Sequence, residues 1–236
     1  MSDQITLSVI LPVYNEETNI QKTVDSVTAY LSSHKVVSGY EIILVDDGST
    51  DRSPQVLKEL QKSHQNISVV THPVNKGYGG ALISGIELAK HEWILLMDSD
   101  GQIKIDSINH MLNYTRDFDI IAGYRSKRMD SAYRIVLGKL YTYFVGLVFG
   151  IQSKDINCGF KLFHKRFLET QGINSHAGAF YTHVYINAFA KKARIKEVPI
   201  EHFSRQGGVP TGANLKVIGT AMADFINLVF RKRNSG

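Results

Sequence analysis

The sequence is poor in cysteine and has no long uninterrupted hydrophobic run. Cys158 is the single cysteine in 236 residues, which excludes an internal disulfide framework and is typical of a reducing compartment. The first six residues contain neither a basic nor an apolar segment, so no signal peptide is expected. The best candidate for a membrane span, residues 135–151, is interrupted by Lys139. The uninterrupted part from Leu140 is too short to cross a hydrocarbon core of ~30 Å.

The composition is that of an ordinary globular domain with a mild basic excess. Hydrophobic residues make up 43% of the chain, enough to fill one large core. The 27 basic and 22 acidic residues give a net charge of +5. This excess suits phosphate-rich or anionic-membrane partners, and it is equally compatible with solubility alone.

Apolar runs alternate with segments of helical periodicity through the first half of the chain. We predict strands at 7–11, 41–45, 67–71, 93–97 and 120–122, each separated from the next by a helix. Alternation with short links requires crossover connections, which predicts an α/β fold with a mainly parallel sheet flanked by helices. In such sheets, ligands bind outside the carboxyl ends of the strands.

Three of these strand ends are rich in polar residues. The apolar run from Trp93 leads directly into Asp98 and Asp100, and polar clusters also follow the strands at 14–16 and 46–47. We therefore predict that the three clusters lie along one edge of the sheet. The two aspartates can hold a hard divalent cation with open positions for phosphate oxygens, or they can simply form an Asp-rich turn.

A glycine-rich segment precedes the third predicted helix. Gly77, Gly79 and Gly80 lie where free backbone N–H groups can receive phosphate, but the spacing is neither a dinucleotide fingerprint nor a P-loop. Close helix–sheet packing or a flexible lid explains these glycines equally well. Lys76 is either a phosphate contact or a solvated side chain.

The second half combines basic clusters with apolar segments. Arg125, Lys127, Arg128 and Arg134 precede the apolar run at 140–151, and the segment 217–230 ends in a similar basic tail. Both patterns suit amphipathic helices at an anionic lipid surface; solvated basic loops beside core helices are the alternative. A glycine-rich loop at 203–212, which contains Arg205, has the length of a loop that closes over a site.

Five motifs along the chain resemble, in their order, those of a known protein family. They are Pro12-x-Tyr14-Asn15-Glu16, Asp46-Asp47-x-Ser49-x-Asp51, Asn75-x-Gly77-x-x-x-Ala81, Asp98-x-Asp100-x-Gln102 and Asp155-x-x-Cys158-Gly159-Phe160. Together they resemble inverting family 2 glycosyltransferases of the GT-A fold, a Rossmann-like architecture. Within that family the chain looks like the branch of dolichol-phosphate mannosyltransferases and polyprenyl-phosphate glycosyltransferases. The likeness runs from about residue 7 to 231, with Cys158 where the family usually has serine.

The resemblance implies a role for each matching residue. The base and ribose of a UDP- or GDP-linked sugar are expected at Pro12, Tyr14, Glu16 and Asp47, with Lys76 and Asp98 also at the donor. Mg²⁺ or Mn²⁺ is expected at Asp98, Asp100 and Gln102. The acceptor phosphate is expected at Arg125, Arg134 and Arg205, and the groups expected to act in catalysis are Asp100, Arg125 and Arg205. Asp155 is the first candidate for a base if the acceptor is a hydroxyl group, which would require one.

The sequence therefore predicts a single domain, 1–236, with a nucleotide-sugar-binding half (1–123) and an acceptor-binding, membrane-facing half (124–236). The expected reaction is metal-dependent transfer of a sugar, with inversion, to a polyprenyl phosphate. The expected location is peripheral, at the cytoplasmic face of a membrane, with no nucleic-acid partner. Alternatives are transfer to a glycan hydroxyl and a catalytically silent protein that binds sugar nucleotides or acts as a membrane scaffold. A nucleotidyltransferase is disfavoured because residues 12–17 contain no glycine.

Overall fold

One seven-stranded sheet organises the molecule. The structure, a computed structural model, describes residues 4–168, 179–205, 207, 223–227 and 229–230. The strands are β1 (Ile5–Val13), β2 (Val37–Asp46), β3 (Ile67–Thr71), β4 (Trp93–Leu96), β5 (Ile120–Lys127), β6 (Lys161–His164) and β7 (Ile195–Glu201). Their order across the sheet is β3-β2-β1-β4-β6-β5-β7.

The predicted mainly parallel sheet is confirmed, with one strand reversed. β6 runs antiparallel to both of its neighbours, β4 and β5, whereas the other pairs are parallel. Because β6 returns through the centre of the sheet, the segment 155–160 that leads into it lies at the same edge as the carboxyl ends of β4 and β5. This reversal brings the Asp155 motif to the polar edge.

Helices cover both faces of the sheet. They are α1 (Ile20–Ser32), α2 (Ser53–Ser63), α3 (Gly77–Leu88), α4 (Asn109–Leu112), α5 (Ala132–Phe149) and α6 (Phe180–Ala190), with 3-10 turns at Ile105–Ile108 and Lys165–Phe167. Alternate residues of each central strand point to opposite faces. Val9 of β1 therefore packs in a cluster with Val24 and Leu57, whereas Ile10 packs with Leu82 and Ile86.

The helix α5 differs from the prediction in its start and in its surroundings. It begins at Ala132, well before residue 140, so that it has 18 residues, of which only Val145 is buried. By length and composition alone it is the one helix in the described residues that could cross a membrane, and isolated helices of this kind are weak evidence for a span. Of the predicted helix at 217–230, residues 223–227 and 229–230 are helical, and the remainder lies outside the described residues.

Candidate active site

The loops that follow β1, β2 and β4 are hydrogen-bonded to one another at the carboxyl edge of the sheet. Asn15, with a φ of 56°, turns its side-chain oxygen to accept the backbone N–H of Thr50 at 2.8 Å. The backbone N–H of Glu16 donates to Ser53 Oγ at 2.8 Å. The structure thus brings together the polar clusters that the sequence placed on one edge.

The loop after β4 is tied to the same assembly. Ser99 lies between the two aspartates, and its hydroxyl donates to the carbonyl of Pro12 at 2.6 Å. Thr23 of α1 donates to the Ser99 carbonyl at 3.1 Å. These contacts fix the backbone between Asp98 and Asp100, so that the two carboxylates are held in separate environments.

The Asp98 carboxylate is turned toward the interior. Its Oδ1 accepts a hydrogen bond from the Tyr78 hydroxyl at 2.7 Å, and that hydroxyl lies 3.1 Å from the hydroxyl of Tyr181. A side chain at Gly159 would collide with the same carboxylate, which is why the segment before β6 carries glycine there. Burial, reinforced by the nearby charge of Asp100, raises the pKa of Asp98 to about 6.

The Asp100 carboxylate faces Glu16 and Arg205. The Arg205 guanidinium pairs with Glu16 Oε1 and lies 3.5 Å from Asp100 Oδ2. Burial raises the pKa of Glu16, although hydrogen bonds from Asn19 and Arg205 oppose that shift. The guanidinium of the loop after β7 is therefore a cation held between two acids on different loops.

Gln102 completes the predicted metal motif from the next turn. Its backbone N–H donates to Asp100 Oδ1 at 3.1 Å, and its side-chain amide N–H donates to the Phe203 carbonyl at 3.1 Å. The Gln102 side chain is thus held by the loop after β7, and its backbone by Asp100.

The two acids at the end of β2, Asp46 and Asp47, have different surroundings. Asp46 has a structural role, and Asp47 is a candidate nucleotide-binding residue. Asp46 Oδ1 accepts the Ser49 N–H at 3.0 Å and closes the turn. Asp47 Oδ1 accepts the Lys76 backbone N–H at 2.8 Å, which links this turn to the glycine-rich segment. The two segments approach so closely that a Cβ at Gly48, where φ is +72°, would lie 2.9 Å from the Asn75 nitrogen.

The basic cluster of the second half is organised by two acids. Asp155 binds Arg125 through two hydrogen bonds, of 2.7 and 2.9 Å. Asp130, whose side chain is 2% exposed, contacts Arg125, Arg128 and Arg134 at 3.8, 2.8 and 3.1 Å. Burial alone would raise the pKa of Asp155, but the hydrogen bond and charge of Arg125 lower it below the ordinary value, which makes Asp155 a weak base.

Behind these arginines lies a buried cation. Lys161 of β6 is fully buried, donates to the Cys158 carbonyl at 2.8 Å, and lies 4.8 Å from the centre of the Tyr181 ring. Its ammonium group holds the segment that carries Asp155 and Gly159.

Several residues of this site were not identified from the sequence. Asp130, Lys161, Tyr78, Tyr181 and His72 all contact a predicted site residue or its immediate support. Asp130 lies within the arginine cluster and was therefore detectable as its counter-charge. The others carry no diagnostic spacing, because they reach the site from different elements.

The oxygen ligands at this edge suit a hard cation. No cluster of three or more histidine, cysteine, aspartate or glutamate side chains with metal-binding geometry occurs among the described residues. Two aspartates and one amide make a smaller set, which leaves coordination positions for phosphate oxygens. Arg205 places a positive charge between Glu16 and Asp100.

Comparison with known proteins gives a family match over most of the chain. Residues 8–182 match the model of glycosyl transferase family 2. A dolichyl-phosphate beta-glucosyltransferase of Trichomonas vaginalis is 31% identical over 212 residues, which are 84% of this chain and 65% of that protein. An undecaprenyl-phosphate 4-deoxy-4-formamido-L-arabinose transferase of Pectobacterium atrosepticum is 27% identical over 92% of this chain and 66% of its own. The chain thus spans less than two thirds of the length of these two relatives.

Solved structures share the fold at low sequence identity. Glucosyl-3-phosphoglycerate synthase of Mycobacterium tuberculosis, in complex with Mn²⁺, UDP and phosphoglyceric acid, matches with a TM-score of 0.71 and 17% identity, covering 95% of this chain and 78% of that one. The mannosyltransferase PcManGT of Pyrobaculum calidifontis, in complex with GDP-Man and Mn²⁺, matches with a TM-score of 0.63 and 17% identity over 96% of this chain and 66% of its own. The predicted GT-A architecture is confirmed.

Proposed function

This chain is a member of glycosyl transferase family 2, and from that premise we propose that it transfers a sugar from a nucleotide diphosphate to a polyprenyl phosphate, with inversion. One observation carries the proposal. Glu16 after β1 and Asp100 after β4 meet at Arg205, and Arg125 is held by Asp155 on the neighbouring segment. Acids that can hold a metal and a diphosphate thus lie beside cations that can receive a second phosphate.

The donor occupies the edge formed by β1, β2 and the glycine-rich segment in this proposal. Pro12, Tyr14, Glu16 and Asp47 hold the base and ribose, and Lys76 lies at the amino end of α3 beside Asp47. The hydrogen bonds between these loops fix their relative positions before the donor arrives, which lowers the entropic cost of binding.

The acids after β4 would hold the metal in this proposal. Asp98, Asp100 and Gln102 are the proposed ligands, and the presence of Mn²⁺ in solved structures with the same fold supports the choice of metal. When bound, Mg²⁺ or Mn²⁺ neutralises charge that develops on the diphosphate leaving group. The tyrosine hydroxyl on Asp98 is a further support of the kind that orients metal-binding carboxylates.

The acceptor is proposed to be a lipid phosphate because Asp155, the carboxylate that binds Arg125, is a poor base. A phosphate is already anionic near neutral pH and attacks without deprotonation, so the protein must only offset the repulsion between two phosphates. Arg125, Arg134 and Arg205 supply the positive charge. Asp155, bound by Arg125, orients that arginine and has little basicity left for a hydroxyl acceptor.

We propose peripheral membrane contact at the cytoplasmic face, and the exposed side chains of α5 support the membrane contact. Its exposed apolar residues are Tyr133, Val136, Leu140, Tyr143, Phe144 and Leu147. The opposite face packs inward, where the Tyr141 and Phe149 rings lie 5.8 and 6.0 Å from Phe225. A helix with an exposed apolar face that starts beside a basic cluster suits the boundary between head groups and acyl chains.

A donor screen tests the reaction. UDP- and GDP-linked sugars are incubated with Mn²⁺ or Mg²⁺, each with and without polyprenyl phosphate. Transfer from one donor that requires both the lipid and the metal is the expected result. Equal transfer to soluble sugars without lipid would favour the glycan-hydroxyl alternative, and binding of a donor without any turnover would favour the silent protein.

A pair of aspartate variants tests the metal assignment. Asp100→Ala should lower metal-dependent turnover roughly 100-fold or more, because the transition-state charge loses its stabilisation. Asp106→Ala is the matched control, since Asp106 is an exposed acid a few residues further along the chain. Unchanged turnover in Asp100→Ala would exclude this residue as the metal ligand.

A further inference from the structure

A buried histidine lies directly behind the proposed nucleotide-binding aspartate. His72 follows β3, is 4% exposed, and belongs to none of the motifs identified in the sequence. Its Nδ1 lies 2.7 Å from Asp47 Oδ1, and its Nε2 lies 2.9 Å from Ser84 Oγ on α3. The backbone N–H of His72 donates to the Asp46 carbonyl at 2.8 Å, so the residue is fixed through its main chain as well.

The partners of the ring fix its orientation. An ionised carboxylate only accepts hydrogen bonds, so the Nδ1 proton is directed at Asp47. A serine hydroxyl both donates and accepts, so Ser84 satisfies Nε2 in either protonation state. The histidine can therefore donate a hydrogen bond from Nδ1 to Asp47 while Nε2 keeps its hydrogen bond with Ser84.

Two donors converge on the same carboxylate oxygen. Asp47 Oδ1 receives both the His72 ring N–H and the Lys76 backbone N–H, at 2.7 and 2.8 Å. Among the described residues both contacts use Oδ1, which leaves the lone pairs of Oδ2 for a ligand. With one oxygen held from two elements, the direction of the other oxygen is set.

We propose that His72 is a positioning residue that sets the base specificity of the donor site. It holds Asp47 so that Oδ2 accepts the ring N–H of a uracil or guanine base. Cytosine and adenine carry an unprotonated ring nitrogen at the equivalent edge, and a fixed carboxylate opposite that nitrogen disfavours them. This inference rests on the proposed function, because it requires that Asp47 binds a nucleotide.

Two substitutions separate positioning from mere packing. In His72→Asn the side-chain amide nitrogen lies near the place of Nδ1 and retains a donor toward Asp47. In His72→Gln the amide nitrogen lies near the place of Nε2, so the contact with Ser84 is retained and the contact with Asp47 is lost. Both variants replace the ring by an amide, so they share the cost of its removal.

The measurement is calorimetric titration of each variant with UDP, GDP, CDP and ADP in the presence of Mn²⁺, together with the thermal midpoint. We expect His72→Gln to bind the preferred nucleotide about tenfold more weakly, because a hydrogen bond to a charged group is lost. His72→Asn should stay within about threefold of the wild type, with a similar thermal midpoint to His72→Gln. The preference over CDP and ADP should shrink in His72→Gln alone.

The outcomes separate this inference from the proposal it depends on. If the wild type binds none of the four nucleotides, the proposed function fails and the role of His72 fails with it. If the wild type binds a nucleotide and the two variants do not differ in affinity or preference, the proposed function stands and His72 is only a packing residue. Loss of binding that follows the thermal midpoint equally in both variants would also overturn the positioning role.

Discussion

At the scale of single residues, the most informative contact is the one that Arg205 makes with Glu16 and Asp100. These acids come from different loops, and their side chains are only 9% and 16% exposed. Two partly buried carboxylates repel each other unless a cation lies between them. Arg205 supplies that cation from within the chain. If Mg²⁺ or Mn²⁺ binds at Asp100 as proposed, the metal competes with this guanidinium for the carboxylate.

Because of this competition, we expect one substitution in the site to strengthen metal binding rather than weaken it. Arg205→Ala should tighten the binding of Mn²⁺ to the nucleotide-free protein by roughly tenfold, because a competing positive charge is removed. Turnover with donor and acceptor should nevertheless fall. Electron paramagnetic resonance of free Mn²⁺ during a titration measures the first effect.

The control for this experiment is an arginine outside the cluster. Arg52→Ala removes the same charge from an exposed side chain that lies 3.9 Å from Glu17, on the same group of loops. Its Mn²⁺ affinity should match that of the wild type. Weaker or unchanged Mn²⁺ binding in Arg205→Ala would mean that the guanidinium does not occupy the cation position.

At the scale of elements, α5 is the helix whose packing leaves the most apolar surface exposed. Tyr143 and Leu147, separated by one turn, are 65% and 69% exposed, whereas Val145 between them is fully buried. Single exposed apolar side chains are normal, but a continuous apolar stripe along one helix indicates a surface that contacts a membrane or another apolar surface. The basic cluster around Asp130 precedes the first turn, so charge and apolar area lie together.

The double variant Tyr143→Ser, Leu147→Ser should lose most binding to anionic lipid vesicles. Each large side chain contributes about 1.5 to 3 kcal/mol when fully transferred from water, so removal of two weakens partition by one to several orders of magnitude. Flotation with vesicles of phosphatidylglycerol and phosphatidylcholine measures the bound fraction. Leu88→Ser on α3, which replaces a side chain that is 46% exposed, is the control and should bind like the wild type. Equal flotation of all three proteins would exclude α5 as the contact.

The elements also show what could be predicted from the sequence. The strands β1, β2 and β4 were predictable because strands buried on both faces require nearly continuous apolar runs. The antiparallel direction of β6 was not predictable, because a short apolar run has the same pattern in a parallel and in an antiparallel strand. The start of α5 was missed because Ala132 to Lys139 mixes basic and apolar residues and so contains no continuous apolar run.

The candidate site was predictable to the extent that it depends on strand ends. Asp47, Asp98 and Asp100 follow apolar runs, and the topology of parallel sheets brings such residues together. His72 and Lys161 were not predictable, because each acts through a partner distant in the sequence, and a lone histidine or lysine carries no spacing signal. Their contacts exist only once β3 and β6 have taken their places in the sheet.

At the scale of the whole molecule, the two ends of the strands carry different groups of side chains. The carboxyl edge of the parallel strands carries the candidate site, and the opposite edge carries a cluster centred on Asp119. This carboxylate accepts hydrogen bonds from the Arg194 backbone at 2.9 Å and from the Arg166 side chain at 2.8 Å. The Asp119 carbonyl also accepts from the His164 N–H, so the cluster ties together the ends of β5, β6 and β7.

Asp119 should therefore contribute to stability in a pH-dependent way, separately from function. Burial would raise its pKa, but the hydrogen bonds from Arg194 and Arg166 outweigh burial and hold the pKa below the ordinary value. A carboxyl group with a lowered folded-state pKa stabilises the fold fully above its unfolded pKa of about 3.9, and this contribution is lost as the pH falls through the folded-state pKa.

Asp119→Asn should lower the free energy of unfolding at pH 7 by about 1 to 2 kcal/mol, because hydrogen bonds to a charged acceptor become hydrogen bonds to a neutral one. The difference from the wild type should narrow as the pH falls below about 4, where the wild-type carboxyl group begins to take up protons. Urea unfolding at a series of pH values measures both quantities. Donor turnover at neutral pH should be unchanged, since this cluster lies at the edge of the sheet opposite the site. A stability difference that persists at pH 2 would mean that the asparagine acts through packing, and altered turnover would mean that the two edges are coupled.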